Sequence, residues 1–136
     1  DLFITMFYMR INRKTRRLKY ANAGHNRPLL QKQGGVEWEW LDAEGLIFGV
    51  KPQVDFEEKE LQLEAGDRLL LYTDGVTETL NAQGEFFGEQ GLVDALQAHT
   101  GLAPDAALEF LISGLHDYRG LASLHDDITM VSVRIL

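Results

Sequence analysis

The apolar positions of this chain follow two different periods, and the change falls after Asp74. Before that point the pattern reads as strands. Leu2 to Ile11 is apolar at nearly every position except Thr5 and Arg10, which predicts a central strand covered on both faces. Asn12 to Thr15 turn the chain, and Leu18 and Tyr20 then alternate with Arg17 and Lys19, predicting a hairpin. Gly34-Gly35 separates Leu29–Lys32 from Val36–Trp40, a second hairpin in which Val36, Trp38 and Trp40 share one face. The tryptophans are expected to pack rather than stack on a ligand. Gly45 to Val50 reads as an apolar loop folded back onto the sheet, and Val54 to Leu63 as a strand with an acidic outer face. That strand is expected to pair with the next one through the Ala65-Gly66-Asp67 turn. Leu69 to Thr73 is short, continuous and apolar, the signature of a strand buried on both faces.

Beyond Asp74-Gly75 the period becomes helical. A short helical turn is predicted over Val76–Leu80, a turn over Asn81–Gly84, and an anchor at Phe86-Phe87. Leu92, Val93 and Leu96 mark a helix over Glu89–His99. Pro104 suits the first turn of a second helix, striped by Ala107, Leu108, Leu111, Ile112 and Leu115, with His116 near its end. Asp126-Asp127 then precede a final strand in which Ile128, Met130 and Ser132 oppose Thr129, Val131 and Val133. No repeat, linker or low-complexity tract interrupts the 136 residues, so a single domain is expected.

Charge and composition narrow the chemistry. The net charge is -8, from 21 acidic and 13 basic residues, which argues against a nucleic-acid partner and is compatible with cation binding. Arg13, Lys14, Arg16, Arg17 and Lys19 form the one basic cluster, either a solvated hairpin tip or a docking patch for an acidic partner. With no cysteine, disulfides, thiolate ligands and a cysteine nucleophile are excluded together. No apolar run approaches the roughly 20 residues of a membrane-spanning helix. Beginning at Asp1 without a methionine, the chain reads as part of something longer.

Two strand junctions carry carboxylates, Thr73-Asp74-Gly75 and Asp126-Asp127. Asp74 either caps the helical turn that follows or presents oxygen to a ligand, with Gly75 letting the backbone turn. Asp126 and Asp127 either terminate a loop or join Asp74. If the strands are neighbours, three carboxylates converge, an expensive arrangement unless a cation neutralises them. Oxygen-only donors select a hard ion such as Mg²⁺ or Mn²⁺. A zinc site from His116, His125 and Asp126 fits no standard spacing. In the Asn22–Pro28 loop, His25 is a candidate acid or ligand, or a backbone hydrogen-bonding residue, and Arg27 a candidate for phosphate.

Phe3–Tyr8, Leu18–His25 with Pro28–Leu30, Leu70–Glu78, Phe87-Gly88 and Asp126–Thr129 stand in one order and spacing along the chain. In this they resemble the bacterial SpoIIE/RsbU-like serine/threonine phosphatases, the stage II sporulation protein E-type branch of the PP2C superfamily. The resemblance implies an α+β fold, an antiparallel β-sandwich with flanking helices and a two-metal site at one end. It implies that Asp74 and Asp126 act catalytically through bound Mn²⁺ or Mg²⁺, and that Asp127 is a supporting group or a further ligand. Gly75, Asn22 and His25 would shape the site. The implied reaction is in-line attack of metal-activated water on phosphoserine or phosphothreonine, without a phosphoenzyme. Its implied substrate is a regulatory phosphoprotein, typically a STAS-type anti-sigma-factor antagonist, under an upstream sensor domain and in the cytoplasm.

The family's earlier Gly-Asp-x-x-Gly-His-Gly-like loop, whose aspartate bridges both metals, has no match here. The chain is therefore expected to be the C-terminal portion of a catalytic domain, with open sheet edges that favour homo-oligomers. An interaction module that holds a partner without turning it over is the alternative.

Overall fold

A computed structural model describes residues 2–136. Its strands are β1 (Met6–Ile11), β2 (Arg17–Ala23), β3 (Leu29–Gln31), β4 (Trp38–Trp40), β5 (Lys59–Gln62), β6 (Arg68–Tyr72) and β7 (Met130–Arg134). Its helices, all between β6 and β7, are α1 (Asp74–Thr77), α2 (Gly88–Ala98) and α3 (Pro104–Arg119). Every strand pairing is antiparallel. One sheet has the order β1-β2-β5 and the other β4-β3-β6-β7.

The alternation of side chains across a strand builds three layers from these pieces. Leu30 and Leu69 point one way, into a core shared with Leu18, Tyr20, Leu41, Leu63 and Ile135 between the sheets. Leu29, Leu70 and Tyr72 point the other way, into a core with Trp38, Val76, Leu92, Leu96, Leu111 and Leu115 beneath the helices. The middle strands bury both faces, which is why Leu69 to Tyr72 of β6 reads as an unbroken apolar run. Gln31 of β3 and Arg68 of β6 are buried polar exceptions at one end. Each fully buried leucine contributes about 1.5–3 kcal/mol. Tryptophan packing follows the expectation: Trp38 is buried, and Trp40 meets Tyr72 edge-on at 6.5 Å. The stripes of α2 and α3 face the core, except that Ile112 is exposed. Val36 and Phe86 are exposed as well, so Phe87 alone anchors its segment, edge-on to Tyr118 at 5.2 Å.

Two expectations fail. The first strand is neither central nor doubly covered: β1 starts at Met6, lies at a sheet edge and pairs only with β2. Leu2, Phe3 and Ile4 are exposed, and an isolated bridge joins Ile4 to Phe48. An apolar run records what a strand could bury, and the sheet order decides what covers it.

The segment Val54–Leu63 narrows to β5, which pairs with β2 rather than β6. Leu63 to Asp67 carries the chain from one sheet to the other, and the Asp67 carboxylate ties the crossing down. It accepts the N–H groups of Glu64 and Gln33, each at 2.9 Å, and the Lys32 ammonium at 2.9 Å. Gly66 takes a φ of 94°, a left-handed geometry that favours glycine. The basic hairpin resolves in the same sheet: Arg17 pairs with Glu60, and Lys19 with Glu58 and Glu60, so its strand-borne charges are neutralised.

Burial alone would raise the Asp67 carboxyl, but the Glu64, Lys32 and Gln33 donors outweigh it and hold the group below its ordinary value of 3.8. A depressed carboxylate contributes stability that is present above its unfolded value and lost as pH falls through its folded one. Asp67→Asn should therefore cost about 2 kcal/mol at neutral pH. It should also flatten the loss of stability below about pH 4, as read from urea unfolding midpoints. An acid limb as steep as the wild type's would contradict this account.

Candidate functional site

The end of β6 and the start of β7 meet because those strands are hydrogen-bonded neighbours, with Tyr72 opposite Met130. Thr73 extends the contact past the ladder. Its N–H donates to the Thr129 carbonyl at 3.0 Å, and its hydroxyl donates to the Asp127 carbonyl at 3.2 Å while accepting the Thr129 N–H at 3.1 Å. Sequence reasoning passed over Thr73 and Thr129. Their signal was a threonine beside each acidic junction.

Asp74 follows at once, as the first residue of α1. It does not cap the helix. The capping position belongs to Thr73, and among the described residues the Asp74 carboxylate has no hydrogen-bond or ion-pair partner. Its backbone is held firmly instead, its carbonyl accepting the Glu78 N–H at 2.7 Å and the Thr77 hydroxyl at 3.3 Å. An exposed carboxylate on a fixed backbone is available to a ligand.

Gly75 is needed for a reason other than the expected turn. Its φ is not in the left-handed region, but a Cβ there would lie 2.3 Å from the Asp127 carbonyl oxygen and 2.9 Å from its carbon. Only a hydrogen fits between the two acid-bearing loops. On the other side, Asp126 accepts the Asp127 N–H through Oδ1 at 2.7 Å, while the Asp127 carboxylate is unpartnered among the described residues.

Two cavities flank this junction. One, of about 510 Å³, is lined by Thr79, His116, Arg119, Asp127 and Thr129 among others. The other, of about 260 Å³, takes in Gly75, Glu78, Arg119, His125 and Asp126. The backbones of Asp74, Asp126 and Asp127 thus converge as expected, but their carboxylates do not form a closed cluster. Among the described residues no group of three or more His, Asp or Glu side chains stands ready to hold an ion. The oxygen donors fit a hard divalent cation in kind and would supply at most part of a coordination sphere. The trio His116, His125 and Asp126 is not assembled either. His116 lines the first cavity and bonds Arg119 at 3.2 Å, and the other two line the second.

Asn22 and His25 stand apart, Asn22 near the end of β2 and His25 in the loop that leads to β3. The Asn22 side chain accepts the His25 N–H at 2.7 Å and donates to the His25 carbonyl at 2.9 Å, closing a small ring. The imidazole Nδ1 meets the Thr5 hydroxyl at 3.1 Å. This is the backbone-bonding alternative for that loop, and among the described residues no hydrogen bond joins it to Asp74. Arg27 is spent as well: it pairs with Asp42 and Glu89 and stacks over Trp40.

Two antiparallel sheets with helices on one face match the fold of PP2C-type phosphatase structures over part of their chains. The chain belongs to the Stage II sporulation protein E (SpoIIE) family, whose profile matches residues 1–136. It is 30% identical over 134 residues to Phosphoserine phosphatase RsbU of Bacillus subtilis (strain 168), covering 98% of this chain and 39% of that protein. The SiaA-PP2C domain of Pseudomonas aeruginosa superposes with a TM-score of 0.85 at 25% identity, over 97% of this chain and 52% of that one. The manganese-presoaked phosphatase domain of SpoIIE from Bacillus subtilis gives a TM-score of 0.74 at 21% identity, over 96% of this chain and 56% of that one. This chain therefore spans about half of each solved domain and two fifths of RsbU.

Gly75→Ala should destabilise the chain by about 1–3 kcal/mol, the usual cost of forcing an atom into a filled space, because the obstacle is backbone. Chemical denaturation measures it; an unchanged midpoint would mean that the two loops separate freely.

Proposed function

We propose that this chain is the C-terminal portion of a divalent-metal-dependent protein serine/threonine phosphatase domain, with Asp74 and Asp126 as metal ligands and Asp127 supporting or joining them. The observation that carries the reading is the stitch through Thr73 and Gly75, which presses two acidic strand ends together. Packing like charges side by side costs free energy unless a cation offsets it.

Mn²⁺ or Mg²⁺, when bound, would supply Lewis-acid polarisation of phosphate and activation of water. The residues of this chain supply position. Backbone hydrogen bonds at Thr73, Asp74 and Asp127 fix where the carboxylates start, so little ordering remains to be done when a ligand arrives. Gly75 keeps the loops in contact, and the cavities beside Asp126 and Asp127 leave open space next to the acids. Asn22 and His25 hold their own loop and shape the fold at a distance. Hydrolysis needs no covalent intermediate, in keeping with the absence of cysteine.

The same reading makes the substrate a phosphorylated regulatory protein of the anti-sigma-factor-antagonist type, met in the cytoplasm, with an upstream sensor domain controlling access. The relative named as a phosphoserine phosphatase supports that direction. Among the described residues no helix is long and apolar enough to cross a membrane. The remaining ligands and strands would come from sequence upstream, and the free edges of β1 and β7 are where strands or a second copy could add.

The test is Mn²⁺-dependent phosphate release from a phosphoserine protein, by this chain and by an upstream-extended form, each with Asp74→Asn. Release is expected only from the extended form and should fall at least about a hundredfold with Asp74→Asn, given the several kcal/mol that such a ligand supports. No metal-dependent release from either form would favour the non-catalytic interaction module.

A further inference from the structure

At the opposite end of β6 from Asp74 lies a third cavity of different character. It measures about 350 Å³, and Gln31, Lys32, Gly35, Arg68, Gly101 and Arg134 line it. No acidic residue contributes to its wall, in a chain whose net charge is -8.

Arg68 and Arg134 are directly opposed across the β6–β7 ladder. Like charges facing each other across a sheet are destabilising, and proteins ordinarily set a carboxylate there. This chain does so in its other sheet, where Lys19 opposes Glu60 and pairs with it. Here the opposite choice was made. Neither arginine makes an ion pair or a side-chain hydrogen bond among the described residues.

The nearby carboxylate does not serve them. Asp67 is saturated by Lys32 and two backbone N–H groups, so it neutralises the lysine and leaves two guanidinium charges over. Arg68 is 92% buried by its exposure of 8%, its Nε has no partner, and the Nε2 of Gln31, also buried, has none. Burial and then the facing Arg134 both push the Arg68 guanidinium below its ordinary value. Arg68 gains a partial compensation from Trp38, whose ring lies 5.8 Å from its guanidinium carbon. That contact satisfies no N–H donor.

Planar guanidinium forks match the oxygens of phosphate, the amide of Gln31 adds neutral donors, and the glycine-bearing rim lets a ligand approach backbone. The volume falls in the range of small-ligand pockets. From the paired arginines and the missing counter-charge we infer that this cavity is a binding site for a phosphate-type oxyanion, separate from the acidic junction. The ligand is either free phosphate or the head of a small phosphomonoester. An anion there would turn the Arg68–Arg134 repulsion into attraction and tighten the end of the sheet on which β3, β6 and β7 meet.

The experiment is thermal unfolding and calorimetric titration of the chain with inorganic phosphate and with glycerol 3-phosphate, in chelator and at constant ionic strength set by chloride. Wild type should bind and unfold at a higher temperature in a dose-dependent way. Arg134→Gln, at an exposed position, should fold with equal or greater stability in chloride yet bind at least about tenfold more weakly, the loss of one charged hydrogen bond. Tighter binding of glycerol 3-phosphate assigns the ester, and equal or weaker binding assigns free phosphate. No shift beyond that given by chloride, or the same shift and affinity in Arg134→Gln, overturns the inference.

Discussion

Burial of β6 on both faces is the constraint on which the rest depends. Leu69 fills the space between the two sheets and Leu70 the space beneath the helices, so one five-residue strand joins both cores. Any slip by one residue would exchange those faces. The register is thereby fixed to a single choice. Once it is fixed, the strand delivers Asp74 to one end of the sheet and Arg68 to the other.

The two ends solve opposite electrostatic problems. At the Asp74 end, backbone groups of Thr73, Asp74, Gly75 and Asp127 are hydrogen-bonded, while among the described residues the carboxylates of Asp74 and Asp127 have no partner. At the Arg68 end, the guanidinium groups of Arg68 and Arg134 have no acidic partner among the described residues, although the chain has acidic residues to spare. A fold selected for stability alone would have exchanged charge between such ends, or paired each locally as Lys19 and Glu60 are paired. Unneutralised charge held on a rigid strand is a cost to folding that a ligand of opposite sign can offset.

Threonine does much of the positioning at the acidic end. Thr73 uses its N–H and its hydroxyl to hold the approach to β7, and the Thr77 and Thr79 hydroxyls donate to the carbonyls of Asp74 and Gly75. A small hydroxyl both donates and accepts, so one residue can join two loops without adding charge. The acids stay free because the threonines take the backbone work. Gly75 completes the arrangement by occupying no space where Asp127 passes.

Local pattern determined a good deal here. The apolar run of β6, the helical stripes of α2 and α3, the Gly34-Gly35 hairpin and the motif spacing that marks the family are all readable from the residues, because periodicity and turn chemistry act over a few positions. The two acidic junctions were readable too, and their meeting followed once β6 and β7 were taken as neighbours. What the tertiary structure alone decided is which strands pair and what covers them. It placed β1 at an edge despite its apolar sequence, sent β5 to β2 through the Asp67 crossing, and set Arg68 against Arg134. It also showed that Gly75 is required by Asp127 rather than by its own dihedral angles. These are contacts between residues tens of positions apart, settled by sheet order and register, and no local pattern of hydrophobic and polar residues encodes them.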